Sequence, residues 1–329
     1  MIWADRHAKP VALFAGLAAA AVLAFVLSLA IGPVGLGRGL SEEAAALIFR
    51  EIRLPRAVLG ALVGASLGLS GATLQGYLRN PLAEPSLIGV SGGAALGAVL
   101  TIHLGLTASA ALALPLGALA GAAAAMLLVV ALAGRYGGPV TLILAGLAVS
   151  SLATALVSLA LNLSQNPFAT VEMVFWIMGS LADRSLPQVW LSAPFMLVGM
   201  ALLLLVGRAL DALTLGEDAA RSLGIDLDRT RLAVVAGTAL SVGAATAVTG
   251  IIGFVGLIVP HVLRPFVGHR PGLLLPASMF GGAIMLLLAD VGLRLLQPWG
   301  ELRIGVLTAL LGAPFFVWLV LKTRAELAP

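Results

Sequence analysis

Ten apolar runs follow one another along the chain with only short polar breaks between them. They fall at roughly 11–31, 55–77, 87–106, 108–133, 140–161, 188–207, 232–250, 252–267, 273–296 and 305–321. A helix needs about 20 apolar residues to cross the hydrocarbon of a bilayer. The composition points the same way: 60% of the 329 residues are hydrophobic and 10% charged, with a mean hydropathy of +1.08. A soluble domain carries about a quarter charged residues. So much apolar surface cannot be hidden in one protein core, so lipid must be the solvent. The expected fold class is all-α: a polytopic bundle of about ten transmembrane helices forming one domain over residues 1–329, with no linker and no second domain. The run at 252–267 is the weak one. It is short and holds Gly253, Gly256 and Pro260, so by length it could be re-entrant. The 39 glycines and 5% aromatic content suit a bundle in which small residues let backbones approach.

Several classes are excluded early. There is no cysteine, hence no disulfide framework and no thiolate metal site. The net charge of +4 comes with no cluster of Lys and Arg interleaved with aromatics, and no nucleic-acid partner is expected. The first apolar run, Val11 to Ile31, is longer than the core of a signal peptide and reads as a retained helix. Basic residues mark both ends (Arg6 and Lys9, Lys322 and Arg324). With an even number of spans both termini would be cytoplasmic. Twelve of the 19 Lys and Arg then fall inside and seven (Arg38, Arg50, Arg53, Arg56, Arg184, Arg294, Arg303) outside, the sense of the positive-inside bias. The outer arginines need a reason of their own.

Two connections are more than turns. Residues 162–187 hold an amphipathic piece around Trp176 on the outer side. Residues 209–231 form the longest charged stretch, on the inner side. Within the latter, Glu217-Asp218-Ala219-Ala220-Arg221-Ser222-Leu223-Gly224 reads as a short helix, with acids at its start and a glycine at its end. Asp226 or Asp228 can cap a second short helix. A solvated loop is the plain reading. The sharper one is that Ala219, Ala220 and Leu223 give the piece an apolar face that suits a partner's groove.

Other motifs carry paired readings. Gly60, Gly64 and Gly68 recur at four-residue spacing, which serves close helix packing or a helix that slides along a pathway. Gly68-Leu69-Ser70-Gly71 matches the G-x-S-G of rhomboid-type intramembrane proteases, with His103 or His261 as conceivable bases, but a serine nucleophile needs a positioned base. Asn80-Pro81-Leu82-Ala83-Glu84-Pro85 forbids a continuous helix and is either an interfacial turn or an irregular segment lining a cavity. Asp290 and Arg294 are four apart within a span, as an intrahelical pair or as functional charges. A proton-coupled transporter would show unpaired acids there. The chain has two lysines, Lys9 and Lys322, neither in a G-x-x-x-x-G-K-[ST] loop. It cannot bind ATP in that manner; if ATP drives it, another subunit supplies the site.

Several long motifs occur in order: Arg53-Leu-Pro-Arg56, Gly71-Ala-Thr-Leu-Gln75, Asn80-Pro-Leu-Ala-Glu-Pro85 with Gly89-Val-Ser91, and Leu215-Gly-Glu217 through Gly224. They continue with Gly250-Ile-Ile-Gly-Phe-Val-Gly-Leu-Ile-Val-Pro-His-Val-Leu-Arg264, Leu288-Ala-Asp290, and Glu301-Leu-Arg-Ile-Gly305 through Gly312-Ala-Pro314. In these the chain resembles the permease subunit of the FecCD family, importers of iron chelates, haem and vitamin B12. Arg303 departs from the family, which usually has proline there. The resemblance implies the type II ABC importer permease architecture in a bacterial inner membrane, as a homodimer with a central pathway. It implies two cytoplasmic ABC ATPase subunits, which would hold the ATP and Mg so that this chain carries no cofactor, and a periplasmic or lipoprotein substrate-binding protein. By the same resemblance Glu217, Asp218, Ala220, Arg221, Ser222, Leu223 and Gly224 are the coupling element. Arg53, Arg56 and Arg294 dock the binding protein, and Asn80, Pro81, Leu82 and Thr141 form the inner gate. Gln75, Ser150 and Thr154 offer polar side chains along the pathway. No metal-ligand cluster of the kind a free ion needs is present. The expected cargo is a chelate handed over whole, a ferric siderophore first, then haem or cobalamin.

Overall fold

The computed structural model describes residues 2–32, 41–108, 110–134, 138–296 and 302–327, with side chains described between 11 and 322. Arg38, Arg135 and Glu301, and the side chains of Arg6, Lys9 and Arg324, lie outside the described residues. The helices are α1 (Ile2–Ala30), α2 (Glu42–Ile48), α3 (Leu54–Tyr77), α4 (Val90–His103), α5 (Ala113–Ala133), α6 (Pro139–Leu163) and α7 (Pro167–Ile177). They continue as α8 (Leu186–Leu205), α9 (Gly207–Leu213), α10 (Glu217–Ser222), α11 (Leu227–Thr249), α12 (Val255–Leu263), α13 (Pro271–Leu296) and α14 (Ile304–Leu327). Among the described residues there is no strand.

Eight of these helical stretches are long and apolar enough to cross a membrane. They match eight of the ten expected runs. The other two are short. At 1.5 Å per residue, α4 rises about 21 Å and α12 about 14 Å, against about 30 Å of hydrocarbon. Both start from a residue in the left-handed conformation. Gly89 enters α4 in the left-handed region at φ 82°, and Phe254 enters α12 there at φ 67°. The run around 252–267 is thus a half-helix followed by a 3-10 turn over Arg264–Val267.

Two boundaries differ from the sequence expectation. The helix expected to begin near Pro55 begins at Glu42, capped by Ser41, and runs through a π turn at Phe49–Arg53 into α3. Pro55 sits in the first turn after that π turn. The looser pitch leaves room for a residue without an N–H. Asp226 caps not a second short helix but the long span α11: its carboxylate accepts the Arg229 N–H at 3.0 Å. The amphipathic piece around Trp176 is the helix α7.

The centre of the bundle is α3. Of its most apolar window 83% is buried, against 11% for α1 and 22% for α14. It packs most extensively on α13, and also on α12, α11 and α8. The glycine spacing explains the α13 contact. A methyl group added at Gly64 would fall on the Gly282 carbonyl, and one at Gly68 on the Ser278 carbonyl. Backbones approach there because no side chain holds them apart.

Candidate functional site

One end of the α3–α13 pair carries a cluster of charges. The Arg56 guanidinium grips Asp290 with two prongs: Nε lies 3.0 Å from each carboxylate oxygen and Nη2 lies 2.8 Å from Oδ1. Arg294, one turn after Asp290, donates to Oδ2 of the same carboxylate from Nε at 3.0 Å and from Nη2. Its remaining donors reach the end of α1: Nη1 to the Ser28 carbonyl at 2.7 Å and to the Ile31 carbonyl, and Nη2 to Ser28 Oγ at 2.6 Å. Arg53 adds Nη1 donation to the Leu29 and Ala30 carbonyls at 3.2 and 3.1 Å. Two arginines therefore cap the open carbonyls of α1, where the helix dipole favours cations.

This geometry revises the expectation of three docking arginines side by side. The Arg294 side chain is 2% exposed and its donors are spent inside the chain. Arg56 is 17% exposed and Arg53 half-buried, while Arg50 and Glu51 on the preceding turn are exposed. Within the cluster, Asp290 is shared by Arg56 and Arg294, while Arg50 and Glu51 are the charges left facing outward. Asp290 is no unpaired proton-relay acid.

The opposite end carries α10. Glu217 and Asp218 occupy its first turn and Ser222 Oγ donates to the Asp218 carbonyl at 2.9 Å. The helix ends as the sequence implied. Gly224 lies at φ 81°, its N–H donates to Arg221 O at 2.9 Å and Ile225 N–H donates to Ala220 O at 3.1 Å, the paired bonds of a Schellman cap. One expectation changes: Ala220 is fully buried, facing the bundle, whereas Leu215 (69% exposed) and Leu223 (64%) point outward. The exposed apolar surface of this piece is built from these leucines. Arg221, Ser222 and Gly224 are exposed with them. Glu217 also reaches Arg79 at 3.9 Å, which ties α10 to the segment after α3.

That segment, Asn80 to Gly89, satisfies its own backbone. Asn80 Oδ1 accepts the Leu82 N–H at 2.9 Å, Asn80 O accepts from Ala83, and Glu84 O accepts from Leu87. Pro81 and Leu82 are half-buried. It packs on α6, where Ser150 Oγ donates to Ser86 O at 3.4 Å. Thr141 and Thr154 lie on the exposed face of the same helix. Gln75 is not with them. It is 3% exposed, donates to the Gly256 carbonyl at 3.3 Å and accepts from Arg264, so it cross-links α3 to α12.

Sequence reasoning missed two partners. Glu84 accepts the N–H of Phe254, 170 residues away, and so holds the left-handed entry to α12. Burial pushes the Glu84 carboxyl up from 4.5, partly opposed by that bond. A side chain at Gly312 would strike the Phe254 ring, which explains a glycine in α14. The only local signal was an acid between two prolines. The serine-protease reading has no geometry: Ser70 Oγ lies 3.0 Å from Ser241 Oγ, deep in the core, and the His261 ring stacks edge-on against Phe315 and Trp318.

The fold is a multi-pass helical bundle with two half-helices, a short capped helix at one end and a charge cluster at the other, the class of a polytopic membrane protein. Residues 13–322 match the FecCD transport family. The chain is 40% identical to the vitamin B12 import system permease protein BtuC of Vibrio cholerae, over 83% of this chain and 82% of that one. It is 36% identical to the hemin transport system permease protein HmuU of Yersinia pestis, over 85% and 84%. Among solved structures, a metal-chelate-type ABC transporter in an inward-facing conformation superposes with a TM-score of 0.86, at 36% identity, covering 95% of this chain and 99% of that one. The chain belongs to the FecCD transport family. It is the permease subunit of an ATP-driven importer, and ATP hydrolysis is supplied by a partner subunit.

Proposed function

We propose that the chain moves a bulky metal chelate of the corrinoid or haem class, cobalamin first, through a pathway formed between two copies of itself. The observation that carries this is the outward wall of α6. Thr141, Ser150 and Thr154 stand there among Leu144, Leu147 and Leu152, each more than half exposed. α14 presents a similar face through Leu310, Leu311, Val317 and Trp318. A second copy would cover these faces and leave a mildly polar, mostly apolar channel. Among the described residues no group of His, Asp or Glu could hold a metal ion, and a bare cation needs such ligands; a chelate that brings its own does not. The relatives' names favour B12 and haem over the siderophore expected from family breadth. In this reading two ATPase subunits, holding ATP and Mg, dock at Glu217–Gly224. A substrate-binding protein docks at the Arg53–Arg56 end, and the termini lie in the cytoplasm of a bacterial inner-membrane importer.

The test is uptake of labelled cobalamin into proteoliposomes holding the permease, its ATPase and its binding protein. Uptake should need ATP hydrolysis and survive a protonophore. Uptake that ignores ATP and collapses with the proton gradient would replace this reading with a secondary transporter. ATP-driven uptake of haem alone would move the substrate and leave the transporter class standing.

A further inference from the structure

Beside α10 a polar cup of about 160 Å³ opens between the end of α3 and the start of α11, with Tyr77, Arg79, Arg221 and Arg231 on its wall. Glu217 and Asp228 also line it, so three cations face two anions and the cup is net positive. Asp228 and Arg231 are shared with a second hollow of about 250 Å³, otherwise lined by Val130 and Ala133 on α5, Leu142 on α6, and Leu232 and Val235 on α11. One turn further along α5 and α11 lies an apolar groove of about 660 Å³, lined by Met126 and Leu127 on α5, Ala236, Ala239 and Leu240 on α11, and Leu191 and Phe195 on α8. Met126 to Val130 and Leu232 to Ala236 are four-residue steps, so the hollows share one face of each helix. Leu127 and Leu232 on this trough are 71% and 63% exposed.

We propose that this trough binds one anionic glycerophospholipid, with its phosphate in the cup and an acyl chain laid along the α5–α11 groove. Three observations select that occupant. The polar cup is positive and the groove running from it is apolar, the order of a lipid's own parts. From Arg231 to Ala244 the trough runs thirteen residues of α11, about 20 Å at 1.5 Å per residue, long enough to take an acyl chain through one leaflet, half of about 30 Å of hydrocarbon. The helices that form it are spans, so the groove opens toward lipid. A cup with Arg231 beside the membrane favours an anionic headgroup over a zwitterionic one. The lipid would bridge α10 to α11, placing it beside the element that receives the ATPase.

Native mass spectrometry of the full-length permease released from micelles tests this, with phosphatidylglycerol, phosphatidylcholine and glycerol 3-phosphate as probes. The wild type should retain phosphatidylglycerol on the order of tenfold more than phosphatidylcholine. Arg231→Gln should erase the preference. Ala239→Phe, which fills the groove without touching a charge, should reduce retention of phosphatidylglycerol while circular dichroism stays helical. Equal retention of the two lipids overturns the proposal. So does an Ala239→Phe variant that keeps phosphatidylglycerol as the wild type does. Displacement of the lipid by glycerol 3-phosphate at equal concentration would show a cup for soluble phosphate and overturn it as well.

Discussion

Asp290 and Arg56 stand 234 positions apart in the chain and meet in a two-pronged ion pair at 2.8 to 3.0 Å. The contact closes α3 onto α13, and Arg294 extends it to the end of α1. Asp290 is thus a carboxylate shared by two guanidinium groups. Removing it leaves Arg294 buried without a counter-ion. Asp290→Asn should cost about 3–5 kcal/mol, the usual penalty for breaking a buried pair from one side. Thermal unfolding in detergent reads it out; a loss below about 1 kcal/mol would mean the pair is solvated.

The docking role proposed for this end can be separated from its role in folding. Arg50→Glu changes an exposed charge and should leave the melting temperature unchanged while slowing association with the binding protein, most visibly at low salt. Arg294→Glu should instead reduce the folded yield. Surface plasmon resonance alongside a melting curve distinguishes them. Equal effects on both readouts would put the two arginines in one role.

Gly224 holds φ 81° in the cap of α10. A β-branched residue pays about 1–3 kcal/mol in that region, and the cap would rearrange locally. Gly224→Val should insert normally and lose ATPase association or ATP-driven uptake, with Gly224→Asn milder. Co-purification of the ATPase with each variant is the measurement. Wild-type co-purification and uptake in the valine variant would end the coupling role.

The Glu84 carboxyl is raised above 4.5 by burial, so the native state binds its proton more tightly than the unfolded chain does. Its stabilising contribution is full below about 4.5 and is lost as pH rises through the raised native value. Glu84→Gln keeps an acceptor for the Phe254 N–H and removes the charge. The variant should therefore gain stability relative to the wild type as pH goes from about 5 to about 8. Parallel slopes of melting temperature against pH would remove Glu84 from the account.

The chain has no cysteine, so single-cysteine variants report proximity cleanly. Leu147→Cys on α6 or Leu311→Cys on α14 should give disulfide-linked dimers in membranes, because both lie on the faces assigned to the second copy. Leu127→Cys on α5, 71% exposed but on the lipid trough, should not. Cross-linking through Leu127 instead would relocate the interface.

The helical class, the position of most spans, the glycine seam of α3 and the Schellman end of α10 could all be read along the chain. Each depends on residues within a few positions of one another: apolar length, four-residue spacing, or a single left-handed turn. What the chain order could not show are contacts set by distant partners. Arg294 resembled an outer-surface charge because its span ends there, and only the return of α1 beside it turns its guanidinium inward. Gln75 resembled a pathway residue because it is polar in a span, and only the half-helix α12 gives it carbonyls to bind. Glu84 sat between prolines with no visible task until Phe254 came round to it. Local periodicity and steric limits determine where helices begin, end and touch closely, since those forces act over a turn or two. Which buried polar groups find each other depends on where helices hundreds of residues apart come to lie, and in a low-dielectric interior each such meeting decides whether a charge is exposed for a partner or consumed in the fold.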